Sequence, residues 1–157
     1  MVATDVIKDL GRELNIPGLE FDQNLVCSFS VHNGNLDMTI ETNETGDLVY
    51  VCGYLGIMPD DNNAAAAVAI LFAQANSTLS SMNRGVLALD YNGERLLFSK
   101  LYNVSHWEPS ECIESILQLI EDAEEWKHRL YQPDFGLSEL AKGGINKSEN
   151  NNSFLKV

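Results

Sequence analysis

Apolar positions change period several times along the chain, and each change marks an element. Val6, Ile7, Leu10 and Leu14 recur at helical spacing, so a helix is expected over Thr4 to Leu14, capped by Thr4 and ended by Asn15-Ile16-Pro17-Gly18. From Leu25 to His32 the pattern alternates, with Leu25, Cys27, Phe29 and Val31 on one face. Asn33-Gly34 follows, a hairpin signal because both residues tolerate positive φ. Leu36 to Thr42 alternates again, and Thr45-Gly46 turns the chain into Leu48 to Leu55, a nearly continuous apolar strand suited to a central position. Short turns of this kind predict an antiparallel meander. Met58-Pro59-Asp60-Asp61-Asn62 breaks the pattern and opens an Ala-rich helix over Asn63 to about Ser80. Two more strands, Val86 to Tyr91 and Arg95 to Leu101, flank Asn92-Gly93. A last helix is expected from Pro109 to Leu130, with Ile113, Ile116, Leu117, Ile120, Ala123 and Leu130 as its buried stripe; Ser105 and Glu108 both suit its cap. The order is α-β-β-β-α-β-β-α, an α+β fold with an antiparallel sheet. It forms one domain over residues 1–131. Residues 132–157, with an Asn/Ser/Lys-rich stretch from Asn146 to Ser153, are expected to be a disordered C-terminal tail.

Charge narrows the partners. The 157 residues carry 23 acidic and 10 basic side chains, a net charge of -13. Nucleic acid and anionic membrane surfaces need a basic footprint, so neither is expected as a partner. No Lys or Arg occurs from Glu13 to Met82. The charged residues near the start interrupt any signal-peptide pattern, and the longest apolar run, Ala64 to Ala73, is well short of the roughly 20 residues of a membrane span. Three cysteines without CxxC spacing argue against a disulfide framework or a zinc ribbon, and the expected compartment is reducing.

Enzyme tools are hard to find. His32, His106 and His128 have no ligand spacing, so no metal site is expected. Cys27 and Cys52 lie in apolar strands and Cys112 beside a helical stripe, where buried, inert thiols are the natural reading. The scattered glycines make no phosphate loop. The acidic run Glu121, Asp122, Glu124 and Glu125 reads as a solvated helix face. No catalytic residue and no cofactor are expected. The chain does offer amphipathic surface: an apolar helix face, and sheet edges able to accept an extended peptide by strand addition.

Five segments carry a family resemblance. Leu19-Glu20-Phe21-Asp22-Gln23-Asn24-Leu25-Val26-Cys27 resembles the L-x-F-D-x-N-x-x-C opening of the Tir chaperone (CesT-type) family, the class I type III secretion chaperones. Tyr50 to Pro59, Ile70 to Asn76, Gly85 to Asp90 with Gly93, and Ala123 to Trp126 are similar to later pieces of that family, in the same order. The resemblance implies a homodimeric, cytoplasmic bacterial protein. It would bind the extended N-terminal segment of one or more effectors, keep them soluble and secretion-competent, and present them to the export ATPase. It implies a dimer interface through Val68, Leu71, Phe72, Ala75, Leu79, Leu87 and Leu89, and effector-docking patches from Leu10, Leu14, Ile16, Phe21, Val26 and Phe29. Two alternatives stay open: an inhibitor or immunity-type binding module of the same fold, and a small hydrolase using Cys27 or Cys52.

Overall fold

A computed structural model describes residues 2–132. The expected tail, apart from Gln132, lies outside the described residues. The elements follow the expected order: α1 (Ala3–Glu13), β1 (Val26–Val31), β2 (Leu36–Thr42), β3 (Leu48–Ile57), α2 (Asn62–Ser81), β4 (Val86–Leu89), β5 (Arg95–Asn103), a single 3-10 turn (Val104–His106) and α3 (Pro109–Leu130).

The five strands form one antiparallel sheet in the order β1-β2-β3-β5-β4. The first three are the expected meander. The chain then crosses through α2 and places β4 on the far edge, so β5 returns between β3 and β4. β1 and β4 are therefore the two edges.

One face of the sheet is the core. Strand alternation sends Cys27, Met38, Ile40, Val51, Leu55 and Phe98 to it, all buried, and α3 packs over β3 and β5 there with α1 against α3. Close packing is possible because Gly53 leaves room: a Cβ there would sit 2.8 Å from that of Ala123 on α3. α3 buries nine side chains, among them Ile116, Leu119 and Leu130. Ser28, Thr39, Cys52 and Ser99 lie in one register row on the opposite face, which none of the three helices covers in the same way.

Several local expectations are corrected. The N-cap of α1 is Val2, not Thr4; the carboxylate of Asp5 reaches back to the Val2 N–H instead. The first hairpin is a four-residue loop, His32 to Asn35, in which His32, Asn33 and Gly34 all take positive φ. The hairpin between β4 and β5 spans Asp90 to Glu94, held by the Asp90 carboxylate, which accepts from the backbone N–H groups of Glu94 and Arg95. Asp61 caps α2 by accepting from the Ala64 N–H at 2.8 Å. α2 reaches 20 residues and by length and composition is apolar enough to cross a membrane, more than the Ala64–Ala73 run suggested. Glu108, not Ser105, precedes α3, and Ser105 falls within the 3-10 turn.

The acidic run on α3 is not a uniformly solvated face. Asp122 is 6% exposed and paired with Arg84, whose Nε donates to Oδ2 at 2.7 Å while Nη2 donates to Oδ1. Gln118 adds a third donor at 3.2 Å. Arg84 is the first cation after the long Lys- and Arg-free stretch. Together with Lys100, which donates to the Asn83 carbonyl at 2.7 Å, it clamps the α2–β4 turn onto the rest of the domain.

Candidate functional site

Two surfaces stand out. The first is built from α1, the loop after it, and β1. Gly11 allows the loop to fold back onto the helix: Ile16 donates to the Gly11 carbonyl at 2.8 Å, and a Cβ on Gly11 would meet the Ile16 carbonyl at 3.0 Å. The resulting open groove, about 830 Å³, has Ile7, Lys8, Arg12, Ile16, Pro17 and Leu19 among its lining residues. The same loop delivers the chain into β1 through Asp22. Its Oδ1 accepts from the Asn24 N–H at 2.8 Å and the Val26 N–H at 3.0 Å, and its own N–H donates to the Val26 carbonyl at 2.9 Å. These backbone donors, Val26 first, hold the Asp22 carboxyl below its usual pKa. Asp22 thus fixes the entry to β1 and satisfies the outward backbone groups of Val26.

The rest of that edge is open. Thr42 donates to the Leu25 carbonyl, which sets the phase of the β1–β2 ladder. Cys27, Phe29 and Val31 therefore bond to β2, and Ser28 and Ser30 turn their N–H and C=O groups outward. Of the expected docking residues, Leu14, Ile16, Phe21, Val26 and Phe29 are half-buried and border this region, whereas Leu10 is 0% exposed. Leu10 belongs to the core of the domain.

The second surface is α2 with β4. Only Ala64, Val68, Phe72 and Ala75 of α2 are buried, a single narrow stripe against β4. Of the expected interface residues, Val68, Phe72, Ala75 and Leu87 belong to the core of this one chain, Leu71 and Leu79 are half-buried, and Leu89 is exposed. Four exposed apolar side chains were not expected: Ile70 on α2, Met82 just past its end, Val86 on β4 and Leu101 on β5. The signal for Ile70 was in α2 itself, whose stretch from Ala64 to Ala73 lacks the polar face of an ordinary surface helix.

Desolvation pushes all three thiols up, Cys52 and Cys112 to about 11. Among the described residues, no group of three or more His, Cys, Asp or Glu side chains is placed to hold a metal ion.

A family model for the Tir chaperone protein (CesT) family matches residues 5–127. The chain belongs to this family. It is a chaperone of the type III secretion kind, and its α+β fold is that of solved chaperones. It is similar to a chain in the HopA1-SchA chaperone-effector complex, with 19% identity, a TM-score of 0.58, and 79% of this chain and 91% of that chain covered. It is also similar to a chain in the ExsC-ExsE complex, with 10% identity, a TM-score of 0.63, and coverage of 82% and 96%. The complex of the Yersinia pestis type III secretion chaperone SycH with a fragment of YscM2 gives 9% identity, a TM-score of 0.50, and coverage of 77% and 96%. No curated protein sequence matches the chain significantly. The five sequence segments that resemble the family overlap the matched region throughout.

Proposed function

We propose that this chaperone acts as a homodimer in the bacterial cytoplasm and captures the N-terminal segment of one or more effectors in extended form. It keeps that segment soluble and presents it to the export ATPase. The carrying observation is the groove along α1 walled by the loop that leads into β1, an edge whose Ser28 and Ser30 backbone groups face outward. An extended segment adding a strand there gains main-chain hydrogen bonds. Its alternate side chains fall beside Phe29 on the core side and beside Ser28 and Ser30 on the other. The net charge of -13 favours a segment that carries Lys or Arg.

Dimerisation follows from α2. An apolar helix with a single buried stripe, next to exposed Val86 and Leu89, is half of an interface, and a second copy supplies the same surface by two-fold symmetry. The protein is read as a non-enzyme. Thiolate is the reactive form of cysteine, and the raised pKa values of Cys27 and Cys52 weigh against the hydrolase alternative.

Affinity capture from the native host, followed by limited proteolysis and mass spectrometry, tests this function. One or a few large proteins protected only over an N-terminal stretch are expected. A folded partner protected throughout its length would favour the inhibitor-type module.

A further inference from the structure

The two sheet edges are not equivalent, and one side chain makes the difference. On β4, Asp90 donates to the Arg95 carbonyl, so Val86, Ala88 and Asp90 bond to β5 while Leu87 turns its backbone groups outward. Both of those groups are taken. The Leu87 N–H donates to Asn76 Oδ1 at 2.7 Å, and Asn76 Nδ2 donates to the Leu87 carbonyl at 2.8 Å. The carboxamide has one donor and one acceptor side by side, the arrangement that a neighbouring strand would present. It projects from α2, eleven positions earlier, where Val68, Phe72 and Ala75 are buried against the domain.

We propose that Asn76 is a specificity-determining residue: its carboxamide stands in for a neighbouring strand at Leu87 and closes the β4 edge, so that a second copy meets β4 through its side chains alone and strand addition is left to Ser28 and Ser30 on β1. An open edge strand pairs readily with any extended chain, and folded proteins need devices that prevent it. β4 has only four residues, so occupying its middle outward position leaves Leu89 as the one further outward-facing residue of the strand. On β1 the corresponding device is Asp22 at Val26, which sits at the strand's start and leaves Ser28 and Ser30 free. The assignment of the captured strand to β1 rests on the proposed function. The closure of β4 does not.

Hydrogen exchange on the full chain, resolved at single amides, tests the closure without any client. In the native protein the Leu87 amide exchanges slowly although it lies on an edge. In Asn76→Ala it exchanges faster by about tenfold or more, while the Val86 and Ala88 amides, bonded to β5, change little. Asn76→Asp keeps the acceptor for the Leu87 N–H and retains much of the protection, which also covers the case in which the alanine variant folds poorly. An unchanged Leu87 rate in both variants, or a uniform rise along β4 and β5, would overturn the proposal, the latter because it marks a purely structural role. The redirection is read with a short synthetic peptide alternating Leu and Lys. It is expected to slow exchange at Ser28 and Ser30 in the native protein, and at Leu87 as well in Asn76→Ala. Protection of Leu87 by the peptide in the native protein would refute edge selection. Protection of neither edge would count against strand capture itself, and the comparison of Leu87 rates without peptide would still decide whether Asn76 closes β4.

Discussion

α2 and α3 are nearly the same length, 20 and 22 residues, and they are used in opposite ways. α3 lies across the sheet and buries nine side chains, with charged residues on its outer face. α2 buries four and leaves Ile70 exposed, with Met82 exposed just past its end. The difference shows that apolar content alone does not mark the core of this domain. α3 is a finished element, amphipathic and satisfied within one chain. α2 is unfinished: Ala64 to Ala73 carries no polar side chain on any face, and the helix is held to β4 by one stripe and the Asn76 carboxamide. What is left uncovered on α2 is the surface a second copy would cover.

That contrast can be broken in steps. The largest effect is expected inside the finished half: Ile116→Ala on α3 should cost about 2–5 kcal/mol in chemical denaturation, irrespective of protein concentration, because Ile116 is 0% exposed and leaves a cavity. Leu87→Asp belongs with it. Leu87 is 3% exposed, so a carboxylate there should unfold the domain rather than only split a dimer, as circular dichroism would show. Next comes Leu71→Asp on α2, expected to give a folded monomer with near-native circular dichroism, whose melting temperature no longer depends on concentration. A dimer that survives this change would place the interface elsewhere.

The smallest effects concern titration. Cys52 and Cys112 have folded pKa values of about 11 against an ordinary 9.0, because burial disfavours the thiolate. The unfolded chain releases these protons first, so their stabilising effect is intact below pH 9 and declines as pH rises from 9 towards 11. Urea midpoints measured across that window should fall, and alkylation of the native protein near pH 8 should be slow. Rapid labelling of Cys27 or Cys52 at that pH would revive the hydrolase alternative. Asp22 has the opposite sign. Its folded pKa is depressed by the Val26 and Asn24 N–H groups, so its contribution is present at neutral pH and lost as pH falls through the carboxylate range.

Much of the fold is legible along the chain because its signals are local. β2 and α3 have the bounds their periodicity predicts, since strict alternation and a long 3.6-residue stripe admit few other readings. What was not legible depends on distant partners. Asp122 sits in an acidic run and reads as solvated until Arg84, 38 residues away, is brought to it. The placement of β5 between β3 and β4 follows from the crossover through α2, which turn lengths do not encode. In the two hairpins the Asn-Gly pairs did mark turns. The loops are longer than two residues because His32 joins the left-handed run in one, and the Asp90 carboxylate organises the other. Of the candidate site, Leu14, Ile16, Phe21, Val26 and Phe29 are half-buried beside the groove, while Leu10, Val68, Phe72, Ala75 and Leu87 are core within one chain. Asp22 and Asn76 were visible only as letters of a motif, and their role as partners for edge backbone needed the geometry.

Sedimentation equilibrium of the native chain beside Ile70→Asp decides whether the bare face of α2 is half of a symmetric interface. Ile70 is 57% exposed, so the substitution removes little packing within one chain. A dimer is expected for the native protein and a folded monomer for the variant. A native monomer, or a dimer unaffected by a charge at that position, would contradict it.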